Sequence, residues 1–217
     1  MHSRLLALTL CAVSLLFILA APAWAGVVYD NGPINGETDS WALNFGFEVS
    51  DSFTVSSANS TITGLTFGTF VFVGDVLQSV EISVTSSEFG GTTYFDQVVN
   101  TTQSNCHVNE FGFNVCLQSA SFNGPTLGDG TYWLNLQNAV VNTGDPIYWD
   151  ENSGTGCQSP GCPSRASFST LGTIPSESFT LLGTTSATGG TVPEPSSLLL
   201  FGSGLIGSLG FLRRNLR

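Results

Sequence analysis

The sequence predicts an all-β chain, an antiparallel β-sandwich or jelly roll, with a single C-terminal transmembrane helix. Three observations predict it. Between residues 26 and 183, apolar residues recur at every second position, the period of half-buried strands. Clusters of Gly, Asn, Asp and Pro cut these runs at short intervals. Outside the two ends, no stretch carries a helical stripe.

The first element is a targeting segment, residues 1–25. Arg4 gives a positive start, residues 5–21 are apolar except Thr9 and Ser14, and Ala23-Trp24-Ala25 follows. That order of charge, apolar run and small residues predicts a secretory signal peptide cut by signal peptidase after Ala25.

The body, residues 26–183, is predicted as one β-domain. Val80, Ile82 and Val84 alternate with Ser79, Glu81 and Ser83. Phe111, Phe113, Val115 and Leu117 alternate with Gly112, Asn114, Cys116 and Gln118. Tyr132, Leu134 and Leu136 alternate with Thr131, Trp133, Asn135 and Gln137. Further strands are predicted at 41–49, 51–55, 61–73, 92–99, 146–149, 166–171 and 178–182. Asn123-Gly124-Pro125, Gly128-Asp129-Gly130 and Asn142-Thr143-Gly144-Asp145 supply turns. Residues 184–192, rich in Gly, Thr and Ser, read as a flexible linker.

Residues 193–217 form the last element. Pro193-Glu194-Pro195 is held extended by its two prolines. The apolar run 198–212, broken only by Gly and Ser, precedes Arg213 and Arg214. As a helix the run would be roughly 23 Å long, against a bilayer core of about 30 Å. Spanning it calls for membrane thinning or snorkelling arginines. Arg213 and Arg214 favour keeping that end cytoplasmic, so they are expected to act as the cytoplasmic stop with the body outside.

Charge limits the partners. The chain carries a formal net charge of -11. Arg4, Arg213, Arg214 and Arg217 lie in the terminal segments, so the body holds Arg165 as its only basic residue, and no lysine. Nucleic acid is excluded, because binding phosphates needs Lys and Arg. The acidic, Ser/Thr/Asn/Gly-rich body suits an extracellular protein and could attract divalent cations.

Cys11 falls in the signal peptide, which leaves Cys106, Cys116, Cys157 and Cys162 in the body. Export permits disulfides, and four cysteines allow three connectivities. The local pairs Cys106 with Cys116 and Cys157 with Cys162 are favoured. The second pair would close over a Pro160-Gly161 turn. The spacings do not match a zinc site, and His107 is the only histidine of the body.

No catalytic set stands out. A serine triad needs a histidine base, and His107 reads better as a loop residue. Carboxylates such as Glu48 with Asp51, or Asp150 with Glu151, keep a secreted glycoside hydrolase open as one reading. Aromatic residues give a stronger hint. Trp133 sits on the polar phase of its strand, and Trp149 is followed by Asp150, Glu151 and Asn152. Rings flanked by acids and amides suit sugars, so Trp133, Trp149 and Asp150 are the candidate glycan-binding residues, with core packing as the competing reading. A Ca2+ ion could be held by Asp30, Asn31 and Gly32 with Glu37 and Asp39, or by Asp145 with Asp150; neither set has an EF-hand spacing. No other cofactor and no resident metal is expected.

Pro193-Glu194-Pro195, the Gly-rich apolar run and Arg213-Arg214 resemble the PEP-CTERM sorting tail of Gram-negative bacteria, also named an ice-binding protein C-terminal domain. That second name carries no evidence of ice binding. The resemblance implies recognition by exosortase, cleavage near the Pro-Glu-Pro, and transient anchoring in the inner membrane before display or release. Members of the family are associated with exopolysaccharide and biofilm. Residues 130–137 and 144–150 more loosely resemble exported proteins with this tail, which implies no activity. The expected function is a non-enzymatic envelope or matrix protein. A calcium-assisted lectin-like domain and a secreted glycosidase are the alternatives.

Overall fold

The computed structural model describes residues 25–37, 39–57, 59–152 and 164–185. In chain order the strands are β1 (Gly26–Asp30), β2 (Ser40–Ala42), β3 (Glu48–Val55), β4 (Ser60–Val71), β5 (Leu77–Ser87), β6 (Gly90–Val108) and β7 (Asn114–Ser121). They continue as β8 (Thr126–Leu127), β9 (Gly130–Val141), β10 (Tyr148–Asp150), β11 (Ala166–Phe168), β12 (Gly172–Ile174) and β13 (Phe179–Thr185). The described pairings are antiparallel throughout. The hydrogen-bonded order is β1-β13-β4-β7-β6-β5-β9-β3-β11-β12, with β8 and β10 against β4 and β2 against β10. The fold is therefore all-β and antiparallel, as its alternation predicts.

The sheet curls at β6. The first part of this long strand pairs with β5 up to Asn100 opposite Ser79, and the second part pairs with β7 from Thr101 opposite Ala120. The two halves face one another across one core. Leu65, Phe67, Phe179 and Leu181 come from one half, and Phe53, Val80, Ile82, Val84, Leu134 and Leu136 from the other. Burial of such side chains, at about 1.5–3 kcal/mol each, is the main driving force for the fold.

Several predicted strands shift. The run 41–49 is broken by a turn in which the Phe47 amide bonds the Asn44 carbonyl at 3.2 Å. Phe45 (φ 60) and Gly46 (φ 85) take left-handed conformations there, so β3 instead runs unbroken through Ser50. Residues 111–113 turn rather than extend. Gly112 has φ 85, and Asn109 Oδ1 accepts the Phe111 and Phe113 amides. As a result Cys116 and Ala120 join the core, while Val115 packs toward Gly36. Gln118 also points inward, where its Nε2 bonds Thr69 Oγ1 and Gln103 Oε1. Alternation alone hid this, because both faces of β7 are covered.

At the end of the body, β13 continues through Thr184 and Thr185, paired with Thr61 and Ser60, beyond the predicted domain end at residue 183. The chain divides into two units at Ser186/Ala187. The predicted signal peptide, the remainder of the linker and the sorting helix lie outside the described residues, as do Cys157 and Cys162. No helix among the described residues is long and apolar enough to cross a membrane.

Candidate functional site

Short strands bring acids together on one side of the body. β10 lies against β4 through Tyr148–Phe70 and Trp149–Thr69, and the Ser178 amide bonds the Asp150 carbonyl at 2.8 Å. Glu151 and Glu177 form an isolated antiparallel bridge. The Glu177 amide donates to Asp51 Oδ2 on β3 at 2.8 Å. Asp51, Asp150, Glu151 and Glu177 are all buried.

Asparagines and hydroxyls wire this cluster. Asn31 Nδ2 donates to Asp51 Oδ2 at 3.1 Å, to Ser164 Oγ at 2.9 Å and to the Glu177 carbonyl at 2.7 Å. Tyr29 donates its hydroxyl to Asn31 Oδ1 at 2.9 Å. Asn152 Nδ2 bonds the carbonyls of Asn31 and Glu177, and its Oδ1 accepts from Ser176 Oγ. Trp41 Nε1 donates to Glu151 Oε2 at 3.0 Å.

Asp150 is satisfied differently. Its Oδ1 accepts the Gly36 amide at 3.0 Å. Its Oδ2 accepts the Asn35 amide and the Ser178 hydroxyl, each at 3.1 Å. It thereby pins the segment between β1 and β2 to the sheet. Burial still dominates and pushes its carboxyl up to about 6 against these donors. Burial also lifts Asp51 to about 7, and raises Glu177 well above the ordinary range with help from the Asp51 charge. Burial raises Glu151 as well.

The candidate glycan platform is corrected on two of its three residues. Trp149 is 0 % exposed, edge-on to Phe67 and Phe179, with its Nε1 bonded to the Ser178 carbonyl at 2.9 Å. Asp150 is buried in the contacts just described. Neither can meet a sugar. The local sequence reads as a wet aromatic-acid pair, yet β2 and β4 flank the strand and Phe67 and Phe179 pack against the Trp149 ring. Trp133 is half-buried on β9, on the same phase as Asn135, whose Nδ2 bonds Ser83 and Thr85.

The expected calcium sets do not assemble. Asp30 Oδ1 caps the Gly32 amide, Asn31 lies inside, and Glu37 and Asp39 are exposed. Asp145 is exposed while Asp150 is buried. Among the described residues, no three His, Cys, Asp or Glu side chains are placed to hold an ion. Asp150 and Glu151 bind separate partners, and Glu48 lies near Glu81 and Asp96 instead of facing Asp51 as a pair. His107 is exposed on β6. Cys106 and Cys116 are joined by a disulfide across the β6–β7 irregularity, as expected for that pair. Glu177 escaped the sequence reading because no neighbouring motif marks it.

The tail supplies the remaining signal. The PEP-CTERM protein-sorting motif family matches residues 191–214, the segment holding Pro193, Glu194, Pro195, Arg213 and Arg214. The chain carries a PEP-CTERM sorting motif. The PEP-CTERM match marks an exported protein that transits the membrane and is processed by exosortase. Comparison with curated proteins and with solved structures finds no match to the chain.

Proposed function

We propose that this protein is a non-enzymatic component of the cell envelope or extracellular matrix. A signal peptide exports it, the C-terminal helix anchors it in the inner membrane, and exosortase processing then delivers the β-body to the surface or the medium. There it associates with exopolysaccharide in biofilm. The PEP-CTERM motif at residues 191–214 carries this reading. The acidic body, with Arg165 as its only basic residue, supports it by excluding nucleic acid and favouring solubility outside the cell.

Sorting is tested by replacing Pro193-Glu194-Pro195 with alanines in a host that carries exosortase. The full-length protein should then stay in the membrane fraction. Unchanged processing overturns the reading.

A lectin-like role is the second reading, and the half-buried Trp133 favours it. The acidic body points to neutral glycans, which its charge does not repel.

A further inference from the structure

We propose that Asp51 and Glu177 form a divalent-cation site of the calcium class inside the β-body. This inference does not depend on how the tail is sorted.

The evidence is a set of unsatisfied oxygens. Glu177 is 0 % exposed, and neither of its carboxylate oxygens has a hydrogen-bond partner. Asp51 is 0 % exposed, and its Oδ1 has none either. Buried polar atoms are almost always paired, and an unpaired buried carboxylate is among the costliest groups a protein can hold. Three such oxygens on two adjoining acids are an unmet demand for positive charge. Asp51 is the strongest charge acting on Glu177, followed by Glu151, Asp150 and Asp39, and all four are negative. Among the described residues no basic side chain answers it. Arg165 is exposed, and its contact with β3 runs through backbone and the Ser52 hydroxyl.

A proton is the rival solution, and chemistry favours the ion. Protonating Glu177 removes its charge and at most shares one proton with Asp51 Oδ1, which leaves a buried carbonyl oxygen unpaired and the Asp51 charge in place. A divalent ion neutralises both acids and occupies the orphaned oxygens at once. Among the described residues no group of three acids is placed to hold an ion. Two carboxylates match the charge of one divalent ion. Neutral oxygens complete such a shell. Ser164 Oγ, which bonds both Asn31 and Asp51, lies beside the pair. A ligand set of carboxylate and hydroxyl oxygens with no nitrogen or sulfur suits a hard ion. With only two charged ligands, the affinity expected is that of extracellular calcium modules, about 10⁻⁴–10⁻³ M.

The test uses the purified full chain in detergent, stripped with EDTA and titrated with calcium chloride. Melting temperature and terbium luminescence excited through tryptophan are the readouts; Trp41 is bonded to Glu151 next to the site. Calcium should raise the melting temperature by several degrees, and terbium should luminesce and be displaced by calcium. Glu177→Gln should abolish both responses. Because the Glu177 carboxylate makes no hydrogen bond, this variant should fold and match or exceed the stability of the stripped wild type. Glu110→Gln, an exposed acid elsewhere, should keep both responses. The proposal is overturned if calcium leaves the wild type unchanged, or if Glu177→Gln responds as the wild type does.

Discussion

Gly68 faces Asp150 at such short range that a Cβ on residue 68 would stand 2.8 Å from the Asp150 Cβ and 2.6 Å from Ser178 Oγ. Gly68 lies in β4, where a glycine ordinarily weakens a strand. Here its missing side chain makes room for the carboxylate that pins Asn35 and Gly36. Gly68→Ala should cost about 1–3 kcal/mol through overpacking. Urea unfolding should show a lower midpoint with an unchanged slope. A midpoint equal to the wild type would mean the contact relaxes freely.

Asp150 should make stability fall as pH rises. Its folded carboxyl lies near 6, against 3.8 for the ordinary group. Below about pH 4 both states hold the proton. Between about 4 and 6 the unfolded chain releases it first, which favours unfolding. Above about 6 both are ionised and the loss is complete. A shift of about 2 units corresponds to roughly 3 kcal/mol. Stability measured in chelator across that window should decline for the wild type, and the decline should shrink in Asp150→Asn. Equal slopes in both proteins would assign the decline to other groups.

The two tryptophans should behave differently. Trp149→Ala removes one of the largest fully buried side chains and should cost about 3–5 kcal/mol, or prevent folding. Trp133→Ala, half-buried on β9, should cost about 1 kcal/mol. Calorimetry against cellulose, xylan and mannan oligomers then isolates the lectin reading. Loss of binding in a folded Trp133→Ala protein supports it, and retained binding removes Trp133 from the site.

The Cys106–Cys116 disulfide closes a short loop, with a sequence separation of 10. The chain-entropy estimate for such a loop is at most about 3 kcal/mol. The β6–β7 ladder already holds these strands together, so Cys106→Ser with Cys116→Ser should lower stability modestly and leave the fold intact. Peptide mapping of the exported protein without reduction should recover Cys106 linked to Cys116. Free thiols there would contradict the assignment.

What the sequence alone determined is what short-range pattern can encode. The sorting motif is a contiguous run read by an enzyme, so Pro193, Glu194, Pro195 and the arginines after them are legible as written. Strand phase is equally local. Val80, Ile82 and Val84 on β5, and Leu134 and Leu136 on β9, alternate in sequence and line the core. The Cys106–Cys116 pair is legible for the same reason, since its loop is short. Where two left-handed positions break a run, as at Phe45 and Gly46, the pattern misplaced the strand.

Only the tertiary structure decided where the acids meet. Asp51 and the Glu177 amide are separated by 126 positions, and Asp150 and the Gly36 amide by 114. The Asp150 contact follows β10 pairing with β4, and the Asp51 contact needs β3 of one half of the sheet to face the segment before β13 of the other. Long-range packing also buried Trp149, which is followed in sequence by the polar Asp150, Glu151 and Asn152 but whose neighbours in space are Phe67 and Phe179. A period of two tells which residues share a face. It says nothing of which strand will cover that face, because strand order is set by long-range burial and not by local geometry.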